Sequence, residues 1–235
     1  FSNVGIAEAG LDALHDVEMI YANELLKDRA DFYSCVHPKT KMLQGDITND
    51  ETRTLIVNKA IESHVNFILA TPPCQGMSEA GNRLEFDERN QLITHAVDVI
   101  QRVRPEFAII ENVPTILHTK VVINGEVMLI PDYLKSVLCD YCFNEESLIK
   151  AMDHGIPQMR ERNIYLLVRK DINITWTFPD KEPQVTLRDA IGNLPSLDPM
   201  LREGLEFTLE MFPNFEKKKE EGLKKSQWHY PPTHS

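Results

Sequence analysis

The stretch FILATPPCQGMS, residues 67–78, carries the most information about the fold of this chain. Its first part, FILAT (67–71), is a short apolar run typical of a buried β-strand. Two prolines follow and stiffen the backbone directly before Cys74, so the thiol is expected on a loop. In parallel sheets, ligands bind at the carboxyl ends of strands, where such loops lie. The stretch therefore predicts an α/β sheet with a reactive cysteine at its rim.

Short apolar runs alternate with helical stretches along much of the chain, which is the pattern of a sheet covered by helices. The pattern predicts strands at 17–24, 67–71, 107–112 and 163–169, and helices at 6–14, 51–64 and 90–103. In the segment 121–129, an Asn-Gly pair lies between β-branched residues and predicts a hairpin outside the main sheet. We expect an α/β fold with a mostly parallel sheet and helices on both faces.

The regular pattern weakens after about residue 170. Proline-punctuated segments follow, and then the charged run EKKKEEGLKK (216–225). We therefore predict one domain over residues 1–170 and a connecting segment over residues 171–235.

Composition restricts the class of protein. A net charge of −11 argues against a uniformly basic surface that coats nucleic acid, because phosphate contacts depend on Lys and Arg. Any contact with DNA must be local. The four cysteines are irregularly spaced and do not resemble a disulfide framework. No run of about eighteen apolar residues appears, so we expect a soluble, intracellular protein with reduced thiols and no membrane segment.

Three residues near the predicted strand ends suit a nucleotide-like ligand. Gly5 lies at a strand-to-helix turn, where a missing side chain lets a ligand approach the backbone. Glu24 ends a strand, as does the acidic residue that accepts ribose hydroxyls in nucleotide-binding α/β folds. Asp46 could accept a hydrogen bond from an adenine amino group. Taken singly, a turn glycine or a capping carboxylate is the more common outcome, so the prediction depends on their shared position.

Cys74 and Glu111 are the candidate catalytic residues. A thiolate nucleophile needs exposure and surroundings that lower its pKa, and the proline-stiffened loop provides exposure. Glu111 lies in IIENV (109–113) at the end of an apolar run. Burial there would raise its pKa and let it carry a proton at neutral pH. The alternative for Glu111 is full exposure at the strand end.

The remaining cysteines are interpreted as structural. Cys35 suits the role of a small buried hydrophobic residue, and Cys139 and Cys142 lie in an apolar segment where burial is expected. The Cys-x-x-Cys spacing of the last two has no second pair to complete a zinc site. We predict no metal.

Arg160 and Arg162 lie two residues apart just before a predicted strand. This spacing places both side chains on the same side of an extended chain. Both could point into a cleft as fixed donors to a base or a phosphate. A surface pair of salt bridges is an equally good interpretation from the spacing alone.

Taken together, the motifs resemble the DNA (cytosine-5) methyltransferase family over about residues 1–170. Their order is F-S-x-x-G, a Glu at the second strand, G-D-I, P-P-C-Q, E-N-V and P-Q-x-R-x-R. Segments 188–197 and 229–235 are similar to sequence that follows the last catalytic motif in bacterial members. The resemblance implies a Rossmann-like fold that uses S-adenosylmethionine, with residues 171–235 leading toward a target-recognition domain.

The resemblance also implies a chemistry. Cys74 would attack carbon 6 of a cytosine flipped out of the duplex, while Glu111 donates a proton at ring nitrogen 3. Carbon 5 would then take the methyl group from S-adenosylmethionine, leaving S-adenosylhomocysteine, and loss of the carbon-5 proton would expel the thiol. Arg162 would bind the cytosine carbonyl oxygen, with Arg160 as its companion.

Further contacts follow from the same resemblance. The implied cofactor contacts are Phe1, Gly5, Glu24, Asp46, Ile47, Pro73 and Leu92, and the implied DNA contacts are Gln75, Ser78 and Arg89. Asn3 and Ile6 stand where small residues are common in the family.

The implied setting is a bacterial restriction-modification system. The partners would be double-stranded DNA and a restriction endonuclease, with the protein on DNA in the cytoplasm. Two alternatives stay open: a transfer-RNA cytosine-5 methyltransferase, and a non-catalytic subunit that binds cofactor or DNA.

Overall fold

A computed structural model of the chain describes residues 2–12, 17–73 and 91–191. Its helices are α1 (Ile6–Asp12), α2 (Lys27–Val36), α3 (Asp50–Glu62), α4 (Leu92–Val103), α5 (Ile130–Val137) and α6 (Leu187–Ile191). Its strands are β1 (Tyr21–Glu24), β2 (Lys41–Gln44), β3 (Phe67–Ala70), β4 (Phe107–Asn112), β5 (Lys120–Ile123), β6 (Glu126–Leu129), β7 (Tyr141–Phe143), β8 (Leu148–Lys150) and β9 (Glu161–Arg169). Short 3-10 helices lie at Pro114–His118, Ala151–His154 and Lys170–Ile172. Strands and helices alternate as the sequence predicted.

Parallel pairing joins the first four strands in two pairs. β1 pairs with β2 and β3 pairs with β4. β9 then returns antiparallel along β4, and β7 and β8 pair antiparallel with β9. β1 and β2 form a two-stranded sheet, and β3, β4, β9, β7 and β8 form the larger sheet. The expected parallel arrangement holds for the pairs β1–β2 and β3–β4, whereas the later strands of the larger sheet are antiparallel. Because β9 runs against β4, its first residues lie beside the carboxyl end of β4.

The main hydrophobic core lies on one face of the larger sheet. Strand β4 alternates strictly, with Ala108, Ile110 and Asn112 buried and the intervening residues half-buried. Helix α4 contributes Ile93, Val97 and Ile100, all with no exposed surface, and α5 contributes Leu134. Full burial of each such aliphatic side chain stabilises the fold by about 1.5–3 kcal/mol. This packing holds β4 rigidly and so fixes the residues at its end.

The element types were predictable where the apolar period was clear. The predicted strand at 17–24 is limited to Tyr21–Glu24, and the other predicted strands and helices are present within about two residues where they are described. Residues 13–14 and 90 of the predicted helices lie outside the described ranges. Helix α2 was not predicted, because it buries only Ala30 and Tyr33 and leaves Phe32 exposed. Its sequence therefore lacks a clear apolar stripe. Strands β2, β7 and β8 were missed because each is short and also has at least one exposed residue, unlike the equally short β1 and β3.

The segment 121–129 forms the predicted hairpin. β5 and β6 pair only with each other among the described strands. Asn124 and Gly125 have φ values of 53° and 86°, as a two-residue turn of type I′ requires.

Two compact units make up the described chain. One comprises the described residues up to 154 together with 159–182, and the other comprises 155–158 with 183–191. In the first, Asp153 holds residues 181–182 through an ion pair to Lys181 at 3.0 Å and a backbone bond from Glu182. In the second, Thr186 and Asp189 exchange hydrogen bonds at the start of α6. The domain boundary at about residue 170 stays a prediction.

No helix in the described ranges is long and apolar enough to cross a membrane. The same ranges hold no group of three or more His, Cys, Asp or Glu residues that could bind a metal ion.

The Tyr141 hydroxyl predicts a dependence of stability on alkaline pH. Tyr141 is 5% exposed and its hydroxyl donates to the carbonyl of Pro105 at 2.7 Å. Burial raises the pKa of Tyr141 to about 12. Because the folded pKa lies above the unfolded value near 10, the stabilisation is complete below about pH 10 and is lost as the pH rises toward 12.

We expect the free energy of unfolding to fall across that interval in urea titrations. Tyr141→Phe should be less stable at pH 8 and should show a shallower fall above pH 10. Equal slopes in both proteins would contradict the assignment.

Candidate active site

Glu111 and Arg162 form an ion pair at the carboxyl end of β4. Arg162 Nε lies 2.9 Å from Glu111 Oε1, and the side chains are 25% and 30% exposed. The register explains the contact: Glu111 is opposite Ile164 on β9, and Arg162 is two residues earlier on the same side of that strand. The two interpretations of the sequence were burial and full exposure of Glu111, and the structure shows neither. Glu111 is half-buried against a cation.

Asn112 connects β4 to the segment that leads to Cys74. The side chain is 2% exposed, and its Nδ2 donates to the carbonyl of Pro72 at 3.2 Å. Its Oδ1 accepts from the backbone N–H of Val113 at 2.9 Å. Sequence analysis did not assign this role, although the strand alternation put Asn112 on the buried face, where an amide must find partners.

Several predicted site residues lie outside the described ranges. They are Phe1, Cys74, Gln75, Ser78 and Arg89. Pro72 is buried and Pro73 is exposed at the end of the described segment, two and one residues before Cys74. The roles of these residues stay predictions.

Glu24 is a buried carboxylate at the end of β1. It is 6% exposed; its Oε2 accepts from the backbone N–H of Asn3 at 2.9 Å, and its Oε1 accepts from that of Leu26 at 3.1 Å. These bonds hold the turn before α1 against the end of β1. A carboxylate has about four acceptor positions, and the described residues occupy two of those of Glu24.

Position 5 requires a glycine because side chains of α2 and of the residue that follows α2 leave no room for a Cβ. The φ of Gly5 is +78°, and a Cβ at this position would lie 2.4 Å from His37 Nε2 and 2.9 Å from Tyr33. The buried His37 ring approaches the Gly5 carbonyl at 3.0 Å, so Nε2 carries the hydrogen and donates. The prediction placed Gly5 at a strand-to-helix turn, and it does precede α1 directly. The close approach seen here is to protein atoms.

Glu8 is a second buried carboxyl in this region. Burial raises its pKa above the ordinary value, and a backbone hydrogen bond, the charge of His37 and a hydrogen bond from Ser2 partly offset that effect.

Asp46 and Ile47 lie on the turn between β2 and α3. Asp46 is exposed, and its Oδ1 accepts from the backbone N–H and the hydroxyl of Thr48 at 2.9 and 2.8 Å. Ile47 is 8% exposed and packs with Val57 and Val99. The carboxylate therefore faces solvent from a turn whose next side chain is anchored in the protein.

Leu92 and Arg160 complete the predicted set within the described ranges. Leu92 is the first residue of α4 and is half-buried. Arg160 precedes β9 and is exposed, and its carbonyl accepts from the N–H of Ala151 at 2.8 Å. Only Arg162 of the two arginines pairs with Glu111.

The expected burial of the other cysteines is wrong. Cys35, Cys139 and Cys142 are all exposed. Cys142 alternates with the buried Tyr141 on the edge strand β7, and Cys139 follows the buried Leu138 at the end of α5. Local hydrophobicity did not reveal which side of each element faces the core.

Two cavities lie near these residues. The larger, of about 640 Å³, lies between the strand bodies and is lined by residues of β1 and β3, including Ala22 and Ile68. The smaller, of about 530 Å³, borders the residues that follow Asn112 and precede Arg162, among them Val113, Lys150 and Glu161. Neither Glu111 nor Arg162 is among the described residues that line the two cavities.

Comparison with solved structures defines the class of fold. The fold is similar to that of a protein described as a DNA modification methyltransferase encoded within an Escherichia coli prophage, with 26% identity and a TM-score of 0.64 over 84% of this chain and 54% of that one. It is also similar to a Spodoptera frugiperda DNMT2 variant, with 20% identity and a TM-score of 0.57 over 79% of this chain and 53% of that one. The Rossmann-like methyltransferase fold is confirmed.

The family model for C-5 cytosine-specific DNA methylases matches residues 1–231, and the chain belongs to this family. It is 35% identical to the type II methyltransferase M1.HgaI of Avibacterium volantium, over 88% of this chain and 58% of the relative. It is 31% identical to M.NgoPII of Neisseria gonorrhoeae, over 83% and 55%. The chain spans about half the length of the relatives it matches.

Gly5 and Gly125 offer a matched test of the packing around Gly5. Both have positive φ, but a Cβ at Gly125 meets no atom within 4 Å. Gly125→Ala should therefore lower the free energy of unfolding by only about 1–2 kcal/mol. Gly5→Ala must also displace His37 and should cost at least ~1 kcal/mol more. Urea denaturation measures both; equal losses would show that contact with His37 does not constrain Gly5.

Asn112→Ala should release the segment that leads to Cys74. The carbonyl of Pro72 loses its buried donor, so the free energy of unfolding should fall by about 1–3 kcal/mol. Alkylation of Cys74, followed by peptide mass spectrometry, should become faster because the preceding backbone is less restrained. Ile110→Val, on the same buried face of β4, is the control: it should cost about 0.5–1.5 kcal/mol and leave the labelling rate unchanged. Equal labelling rates in the two variants would exclude the tether.

Proposed function

We propose that the protein methylates carbon 5 of cytosine in double-stranded DNA, with S-adenosyl-L-methionine as the methyl donor and Cys74 as the covalent nucleophile. The observation that carries this proposal is the Glu111–Arg162 pair, 2.9 Å apart at the end of β4. Asn112 beside it holds the carbonyl of Pro72, two residues before Cys74. Family membership supports the reaction type.

The proposed reaction assigns one task to each residue. The Cys74 thiolate forms a bond to carbon 6 of a flipped cytosine while Glu111 protonates ring nitrogen 3, which makes carbon 5 nucleophilic. After methylation, a water molecule takes the proton of carbon 5 and the electrons of that bond form the carbon 5–carbon 6 double bond as the Cys74 thiolate leaves carbon 6. Nitrogen 3 then returns its proton to Glu111. Arg162 keeps further guanidinium donors beyond those on Glu111 and the carbonyl of Glu161. These donors suit the cytosine carbonyl oxygen.

The methyl donor fits the rim formed by β1 and β2. S-adenosylmethionine supplies an electrophilic methyl group when bound. Glu24 keeps acceptor positions for ribose hydroxyls, and Asp46 Oδ2 makes no hydrogen bond with the described residues, so it is available to an adenine amino group. Ile47 and Leu92 would form apolar walls, together with Phe1 and Pro73.

The DNA contacts are assigned to a local surface. Gln75, Ser78 and Arg89 would contact the duplex around the flipped base, and Arg160 would be the companion of Arg162 in the active site. This small set agrees with a chain whose net charge is −11. The type II methyltransferases among the relatives support a restriction-modification setting with a paired endonuclease, on DNA in a bacterial cytoplasm. They do not favour a transfer-RNA substrate or a non-catalytic subunit.

Mechanism-based trapping tests the proposal. Full-length protein, S-adenosylmethionine and duplex DNA containing 5-fluorocytosine should form an adduct that survives denaturation, because fluorine at carbon 5 cannot leave as a proton does. Cys74→Ala should abolish the adduct. Cys142→Ala, which removes an exposed thiol away from the rim, should retain it.

Absence of an adduct in every cytosine context would exclude covalent catalysis by Cys74. Stronger methylation of transfer RNA than of duplex DNA, in a competition assay with labelled methyl donor, would exclude DNA as the substrate.

A further inference from the structure

Arg53 lies beside the Asp46–Ile47 turn and donates several hydrogen bonds there. It lies in the first turns of α3, and its side chain is only 13% exposed. Its Nη1 donates to the carbonyls of Ile47 and Thr48 at 2.9 and 2.7 Å. The guanidinium thus binds the backbone of the same turn that carries Asp46.

The other donors of Arg53 reach α4 and the start of α3. Nε donates to Asp98 Oδ2 at 3.1 Å, and Nη2 donates to Asp50 Oδ1 at 2.9 Å. Nη1 also approaches His95 Nδ1 at 3.2 Å. Burial, and then the charge of Arg53, lower the pKa of His95, so its ring is neutral near pH 7 and Nδ1 can accept. One side chain therefore connects the turn with the helix that begins at Leu92.

A planar guanidinium is suited to this task. It presents donors in a fixed fork, so that several acceptors in different directions are bound at once, whereas an ammonium is a compact point charge. Two of the acceptors are main-chain carbonyls near the end of β2. Their orientation determines where the Asp46 carboxylate and the Ile47 side chain lie.

We propose that Arg53 is a positioning residue for the methyl donor: it holds the Asp46–Ile47 turn against α4 in the shape that binds the adenosine moiety. This inference rests on the proposed function, because it assumes that the rim binds S-adenosylmethionine. Arg53 itself need not touch the ligand.

Arg102 provides a matched control within the same pair of helices. Its Nη1 donates to Asp98 Oδ2 at 3.3 Å and its Nη2 donates to Thr54 Oγ1 at 3.1 Å. It therefore connects α4 with α3 and shares an acceptor with Arg53. It has no contact with the carbonyls of Ile47 or Thr48 among the described residues.

Binding of S-adenosylhomocysteine by calorimetry separates the two roles. In the full-length protein, Arg53→Met should raise the Kd roughly tenfold, the effect of about one charge-assisted hydrogen bond. Arg53→Lys should restore part of the affinity, and Arg102→Met should stay within about twofold of the wild type. In turnover assays, Arg53→Met should raise the KM for the methyl donor and leave kcat at saturation within about twofold, because the acid and the nucleophile are untouched.

The outcomes distinguish this inference from the proposed function. If the wild type does not bind S-adenosylhomocysteine, or if Glu24→Ala binds it equally well, the proposed cofactor site is wrong. If the wild type binds, Glu24→Ala weakens binding, and Arg53→Met binds as tightly as Arg102→Met, the role of Arg53 alone is overturned. A lower Tm in Arg53→Met with an unchanged KM would show a purely structural role and would also overturn it.

Discussion

Strands β4 and β9 run antiparallel in register from Phe107↔Val168 to Asn112↔Asn163, and the geometry of the candidate site depends on this pairing. A parallel neighbour would have placed its own carboxyl end beside Glu111, and with it a loop. The antiparallel neighbour instead places the beginning of a strand there. Arg162 consequently reaches Glu111 from a ladder of backbone hydrogen bonds, which restricts its position more tightly than a loop would.

The rim also depends on buried polar groups that are satisfied by the backbone. Glu24 accepts from two N–H groups, and Asn112 both donates to a carbonyl and accepts from an N–H. Leaving such groups without partners would cost about 1–3 kcal/mol each. Their partners lie in the turn before α1 and in the segment before Cys74. The same bonds that stabilise the fold therefore position the segments that carry the proposed ligand-binding residues.

Sequence analysis found those parts of the candidate site that are encoded by short motifs. Glu24 ends β1 and Glu111 lies near the end of β4, where the pattern predicted strand ends, because an apolar strand followed by a carboxylate is easily seen. Asp46 follows β2, a strand that was not predicted. Helix α2 was not predicted, so the sequence could not show that Gly5 is needed because it packs closely against His37. The hydrogen bonds of Arg53 could not be predicted either, because its partners on α4 lie more than forty residues away in sequence. Long-range side-chain contacts carry no local periodicity.

The alternation of β4 has a consequence for how this strand can change. Glu111 shares a face with Phe107 and Ile109, while Asn112 shares the buried face with Ala108 and Ile110. Successive side chains point to opposite faces, so the insertion of one residue within the strand would exchange the two groups and send the carboxylate into the core. The position of the Glu111 carboxylate and the packing of the core therefore depend on the same strand length. Substitutions can be accommodated within β4, whereas insertions and deletions must fall in the turns at its ends.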